Sequence, residues 1–324
     1  MTTNEERLQG EAVKKRADWV LSGGALPGGG GLLPIEKARD FMMTAVNTAK
    51  LLPKVRVVQM PTPTFDLPKL NLGEDIIRAD PGDATAMASG SRVSPTATDL
   101  RLTAKHHQIQ IKAGLRALQH NIKGDGFVTV LMDAITTSTA PSLENIALES
   151  DTTLGTSTPR LAARSQQDGW LKRITTNVVN FSNADLTEAR LNSIRRTIPL
   201  KYIQMGGYEY YVQQYAGDRW REQVAQGVTS VAERAMIDAA LPPHAGSPVI
   251  QLGTMPVATG TPDVSSILFC NPKNLVLGWW QDVTVNTEVV YRENALYITI
   301  DFDVAFQVEW EEAACVATNV RAEA

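Results

Sequence analysis

The sequence predicts an α+β fold, and three observations carry that prediction. Near the C-terminus, Ile298, Ile300, Phe302, Val304, Phe306, Val308 and Trp310 alternate without interruption with Thr299, Asp301, Asp303, Ala305, Gln307 and Glu309. Apolar positions at period two mean a long strand, or two joined by a bend, with one face buried. In mid-chain, "GFVTVLMDAITTSTAPSLENIALES" sets apolar residues at Phe127, Val130, Leu131, Ala134 and Ile135, then at Leu143, Ile146 and Ala147. That is the spacing of a helix lying on a core. Between Met60 and Leu100, prolines at 61, 63, 68, 81 and 95 with interspersed Gly and Ser leave no helical period, so short extended pieces and turns are expected there.

The elements follow in chain order. The opening "MTTNEERLQGEAVKKR" is polar with a modest helical pattern. "SGGALPGGGG", Ser22 to Gly31, lacks the preceding strand and the Gly-Lys-Ser/Thr of a phosphate cradle, so it reads as a flexible hinge or arm. "LPIEKARDFMMTAV" places Pro34 in a first helical turn and repeats apolar residues at Ile35, Ala38, Phe41, Met42, Ala45 and Val46, an amphipathic helix. The proline-rich excursion carries a turn near "ADPGD" and a tip around "ATAMASGS". Forty residues without a core of their own are uncommon in a compact monomer; such a segment lies on something else or is disordered. Its flanks, "KVRVVQM" and "RLTAKHHQIQIK", suggest the base of a long two-stranded hairpin projecting from the body. Pro141 is expected to bend the mid-chain helix, since it lacks an amide hydrogen. Asp185 is a candidate cap for "DLTEARLNSIRRTI". "DRWREQVAQGVTSVAERAMIDAAL" fits two short helices separated near Gly227, and strands follow Pro242.

Composition bounds the function. The chain has 324 residues, 43% hydrophobic and 20% charged, with net charge -4, ordinary for a soluble globular protein and without an overall basic footprint for coating nucleic acid. Cys270 and Cys315 sit in apolar settings, "ILFC" and "AACV", and read as buried thiols of a reducing compartment. No apolar run reaches the length of a membrane span, and the polar N-terminus is no secretion signal. The protein is expected in the cytoplasm when made.

The search for chemistry finds little. On a strand, His106 and His107 point to opposite faces and cannot close on one ion together, so no metal site is assigned. Asp301 and Asp303 share the polar face of the long strand, about 7 Å apart by strand rise. Paired carboxylates can do acid–base work, yet nothing nearby in sequence supplies a nucleophile or a pKa partner. A solvated or intersubunit face is the favoured reading, and a hydrolase built on Asp301 and Asp303 is the alternative from a different class. No Gly-x-Ser-x-Gly, His-Glu-x-x-His, Cys-x-x-Cys or phosphate loop occurs, and neither a catalytic residue nor a cofactor is assigned. Tyr208, Tyr210, Tyr211 and Tyr215 are expected to pack a helix against a sheet. Trp279 and Trp280 straddle two strand faces, one ring in the core and the other on a contact surface.

A resemblance now becomes specific. "HNIKGDGFVTVLMDAI…SLENIALESDTT", "QDGWLKRI" (Gln167 to Ile174), "YYVQQYAGDRWREQVAQ" followed by "LPPHAGSPVIQLGTMP", and "SSILFCNPKNLVLGWWQDVTV" stand in the order and spacing of the major capsid proteins of tailed bacteriophages. From about Leu33 to Val320 the chain resembles that family, whose fold is the Hong Kong 97 type. The resemblance implies an N-terminal arm at 1–32 and a peripheral domain from 33–55, 113–200 and 286–324 with its spine helix near 126–149. It also implies an extended E-loop at 56–112 that lies over a neighbouring subunit, and an axial domain at 201–285. It implies no enzyme but a structural subunit of the virion, assembling in the host cytoplasm into hexamers and pentamers of an icosahedral head around double-stranded DNA. Portal, scaffold and decoration proteins are the further partners, and an encapsulin-like shell is the near alternative. Asp75, Arg78, Asp80, Asp83 and Arg92 on the arm would make intersubunit charge contacts, each worth ~1 kcal/mol or less if exposed. The tip, about Ala79 to Arg92, has no lysine, so a covalent lysine cross-link there is not expected. Only about thirty residues precede the body, which implies a separate scaffold or none.

Overall fold

The computed structural model describes residues 31–32, 46, 48–71, 77, 96–114, 127–226, 241–280 and 284–322. Two six-stranded sheets and a two-stranded ribbon organise it. The first sheet is built around β13, Ala295–Val308, a single 14-residue strand. The uninterrupted alternation seen in the sequence is the cause: Ile298, Ile300, Phe302, Val304, Phe306 and Val308 are all buried. Trp310 falls beyond the strand, where a short 3-10 turn begins.

β5 (Lys105–Gly114) pairs antiparallel with β13 from Val304 to Ala295. Along the other edge of β13 lie first β12 (Thr284–Val290) and then β11 (Leu275–Trp279), both antiparallel. β1 (Gly31–Leu32) adds to β12, and β2 (Arg56–Gln59) adds parallel to β11. The strands expected to form the base of one hairpin, β2 and β5, are therefore not paired with each other. They sit on opposite sides of β11 and β13. The ribbon itself is β3 (Thr64–Asn71) with β4 (Thr96–Thr103), in register from Thr64↔Thr103 to Asn71↔Thr96.

The second sheet runs β6 (Val178–Ala184), β14 (Ala314–Arg321), β10 (Val264–Cys270), β7 (Glu209–Gln213), β8 (Val249–Leu252), with β9 (Val257–Ala258) on β10. It divides two cores. Leu268, Cys270, Tyr211 and Val316 face the core shared with the first sheet and with α1 (Phe127–Glu149), which contributes Ile135, Leu143, Ala147 and Leu148. Ile267, Phe269, Tyr210 and Cys315 face a second core closed by α4 (Glu188–Thr197) and α6 (Gln214–Gln226), through Leu191, Ile194 and Trp220. A strand buried on both faces has no polar alternate positions, which is why "ILFC" reads as a continuous apolar run. The two thiols point into different cores, and both are free and buried; burial pushes that of Cys315 up to about 12.

Several local expectations meet the structure here. α1 continues as one helix through Pro141, and the short helices α2 (Pro159–Arg164), α3 (Trp170–Arg173) and α5 (Leu200–Ile203) follow further along the chain. The cap of α4 is Thr187, not Asp185; the Asp185 carbonyl instead accepts from Arg190. Tyr210 stacks on Phe269 at 4.1 Å and its hydroxyl donates to the Leu191 carbonyl of α4, so this ring does join helix to sheet; Tyr208 lies tilted against Phe269 at 5.1 Å. Tyr215 is half exposed. The helices expected over 33–46 and beyond Gly227 lie almost wholly outside the described residues.

A small carboxylate site joins the turn between β13 and β14 to the segment entering β6. Both Oε1 contacts from the Thr175 and Thr176 amides and both from their hydroxyls converge on Glu311, at 2.6–2.7 Å. Partial burial works to raise the pKa of Glu311, but the bonds from Thr176 and Thr175 outweigh it and hold it at about 2. A depressed carboxylate pKa contributes stability that is present above the unfolded value and lost as pH falls toward the folded one. Acid titration of unfolding should therefore show a loss between about pH 4.5 and 2 that is diminished in Glu311→Gln.

Candidate assembly arm and the comparisons that place the fold

The ribbon is amphipathic. Phe65, Leu67 and Lys69 on β3 are partly covered, while Thr64, Asp66 and Pro68 between them are exposed. On β4, Leu102 is buried and Leu100 partly so. This covered face, with Met60 and Trp280, packs on Val276 and Ala305 of the first sheet. The approach is close: a Cβ on Gly278 would stand 2.7 Å from Met60 Sδ and 3.4 Å from Leu102, so the Met60 side chain would have to shift. Both rings are half-buried: Trp280 packs beside the arm root, and Trp279 packs on the main core. The exposed face is held in register by Arg101 and Asp66, paired at 2.8 Å across the ribbon.

Asp301 and Asp303 differ from expectation. Asp303 is buried rather than solvated, and a partner is present. His106, directly opposite on β5, sets Nδ1 3.3 Å from Asp303 Oδ1 and Nε2 3.6 Å from Asp301 Oδ1. The imidazole thus spans the two carboxylates with a different nitrogen toward each, so the three groups do not converge on one point as metal ligands must. Among the described residues no group of three or more His, Cys, Asp and Glu is placed to hold a metal. His107 faces the other way, buried and stacked on Phe302 at 5.7 Å; burial, and secondarily the charge of His106, lower its pKa to about 4. The arm residues Asp75, Arg78, Asp80, Asp83 and Arg92 lie outside the described residues.

No family model matches the sequence. YqbE of Bacillus subtilis (strain 168), provisionally named a prophage capsid protein, is 24% identical over 320 residues, 97% of this chain and 100% of YqbE. Among solved structures, a chain of the satellite phage P4 procapsid that includes the size determination protein superposes with TM-score 0.66 at 11% identity, over 99% of both chains. The chain has the Hong Kong 97-type capsid fold. The same fold aligns with the SrpI encapsulin of Synechococcus elongatus at TM-score 0.57 and 11% identity, over 84% of this chain and 87% of that one. It aligns with the capsid of a native GTA particle at TM-score 0.57 and 15% identity, over 86% and 90%.

In this capsid fold the phrase "QDGWLKR" has a physical task, which is to lock the end of α1 to the sheet. The Gly169 amide donates to the Ser150 carbonyl at 2.6 Å. A Cβ at Gly169 would lie 2.7–2.9 Å from the Ala147 and Leu148 carbonyls and the Ser150 nitrogen. Asp168 accepts from the Thr152 amide and hydroxyl, each at 2.9 Å, and Lys172 pairs with Asp151 at 2.9 Å. Trp170, fully buried on the short helix α3 (Trp170–Arg173), donates to the Val276 carbonyl and meets Phe306 edge-on. Gln167 donates to the Val304 carbonyl at 3.2 Å. The sequence signalled the phrase, but not that it binds β11 and β13 at once.

Proposed function

We propose that this chain is the major capsid subunit of a tailed phage or prophage, self-assembling into hexamers and pentamers of an icosahedral head. The observation that carries this is the alignment end to end with a procapsid subunit, 99% of each chain, together with a relative of matching length named for a prophage capsid. An encapsulin-like shell is the second reading, favoured by the SrpI alignment but over a smaller share of this chain, 84%. The role is structural, without catalysis, and the subunit's place is the virion, assembled in the host cytoplasm. Packaged DNA on the inner face, a portal, and a scaffold or decoration protein are the partners such a head implies.

The proposed division keeps an N-terminal arm at 1–32, an E-loop at 56–112, an axial domain at 201–285 and a peripheral domain from the rest. In this division the two domains would meet where β14, itself paired with β6, pairs with β10 of 201–285. Asp75, Arg78, Asp80, Asp83 and Arg92 are proposed to fix the register of the arm on a neighbour. Many modest contacts suit this job, because each adds avidity once a ring closes.

Negative-stain electron microscopy of the purified protein, with light scattering for mass, is the test. Closed shells or five- and six-membered rings are expected. Deleting Asp75–Ser94 is expected to abolish them while the body keeps its cooperative unfolding. A discrete monomer across a wide range of concentration and salt would overturn the proposal.

A further inference from the structure

We infer that Lys69 is a positioning residue that latches the arm to the body and sets the angle at which the arm leaves it. The inference rests on the capsid reading for its consequence, but the latch itself is intramolecular and stands on geometry.

Lys69 is the last residue of β3 whose side chain is seen against the sheet, after Phe65 and Leu67 on the same face. Its ammonium donates to the main-chain carbonyl of Glu309 at 2.6 Å and sits 4.8 Å from the centre of the Trp310 ring. A charged donor makes the stronger class of hydrogen bond, and a cation over an indole adds attraction. The acceptor is rigidly held. Asn274 donates to the Trp310 carbonyl at 2.8 Å and accepts the Trp310 amide at 2.8 Å, and its own carbonyl accepts the Glu309 amide at 2.9 Å. The Glu309 side chain is taken by Arg56 of β2 at 2.9 Å. A single short segment, 309–310, thus engages the outgoing limb of the arm at two points, through Arg56 on β2 and Lys69 on β3.

The rest of the arm root cannot do this alone. Leu67, Leu100 and Leu102 give apolar adhesion, which is non-directional, and a two-stranded ribbon is marginal by itself. The Gln307 side chain donates to the Arg101 carbonyl at 3.1 Å, and the Ala104 amide to the Pro63 carbonyl at 2.8 Å, but both lie at the root. Lys69 is five residues further out than Thr64, so it converts a hinge at the root into a ribbon fixed at two points.

The test uses the full chain carrying Lys69→Met, which keeps the stem and removes the charge, and Lys69→Arg, which restores a cation. Spin labels on Ile77→Cys and Tyr291→Cys, sites 90% and 81% exposed, report the arm-to-body distance in unassembled subunits; the native thiols are buried. Lys69→Met is expected to raise the detached population roughly tenfold, as loss of one charged hydrogen bond implies, seen as a broadened distance distribution. Thermal unfolding should move little. Particles from the same variant should be irregular in diameter or open, and Lys69→Arg should return both readouts toward the parent. An unchanged distance distribution in Lys69→Met overturns the latch. A broadened distribution with particles identical to the parent overturns its role in assembly. Failure of the unsubstituted chain to form particles counts against the capsid reading instead, and leaves the distance measurement to decide the latch.

Discussion

Trp170→Ala is expected to cost about 3–5 kcal/mol, the range for emptying a fully buried aromatic site, and so to bring the unassembled subunit near its unfolding threshold, since whole domains hold only about 5–15 kcal/mol. The side chain is 0% exposed. It is also the point where three elements meet: the end of α1, the strand β11 that accepts its indole hydrogen, and Phe306 of β13. Trp170→Phe keeps a ring against Phe306 but leaves the Val276 carbonyl without that donor, and should cost about 1–3 kcal/mol. Urea unfolding of the soluble subunit, followed by tryptophan-independent circular dichroism, measures both. Equal costs for the two variants would show that the ring contributes nothing beyond its hydrogen bond.

Glu144→Ala is the second large effect, about 3 kcal/mol, because it strands buried donors. Glu144, 2% exposed near the C-terminal end of α1, accepts the Lys50 and Leu51 amides on one oxygen, each at 3.1 Å, and the Thr254 hydroxyl on the other. Those partners come from the segment before β2 and from the turn after β8, so one carboxylate joins α1 to both. Glu144→Gln should be far milder, on the order of 1 kcal/mol. Its carbonyl can take the two amides and its amide can donate to Thr254, whose hydroxyl also accepts. The two unfolding midpoints measured side by side distinguish loss of hydrogen-bond partners from loss of charge; a Gln variant as unstable as the Ala variant would assign the effect to charge.

Much of the architecture was legible because burial leaves a local period. β13 was readable over most of its length since its apolar residues recur at every second position, and α1 since its stripe recurs on both sides of Pro141. What periodicity does not report is the identity of a strand's neighbour. β2 and β5 look like the two sides of one hairpin, yet each finds its partner more than 150 residues away, Arg56 opposite Val276 and Lys105 opposite Val304. Asp303 failed for a related reason. A polar residue on the outer face reads as solvated unless the strand that supplies His106 is known to lie beside it. The candidate arm was visible as an excess of Pro and Gly, but Lys69 was not singled out as an anchor, because its acceptor is a main-chain carbonyl and carbonyls leave no mark in a sequence.

The parting of β2 and β5 has a mechanical meaning. A tug on the arm cannot simply peel its two limbs from each other, one rung at a time, at the point where they enter the body. The limbs are moored to opposite flanks of the β11–β13 pair. A pull directed along those strands would load their rungs together, in shear. The moorings are unequal: four register pairs hold β2 and ten hold β5. Under such tension the outgoing limb should slip first while the returning limb holds, so the subunit would lengthen like a sling paying out from one end before its body comes apart.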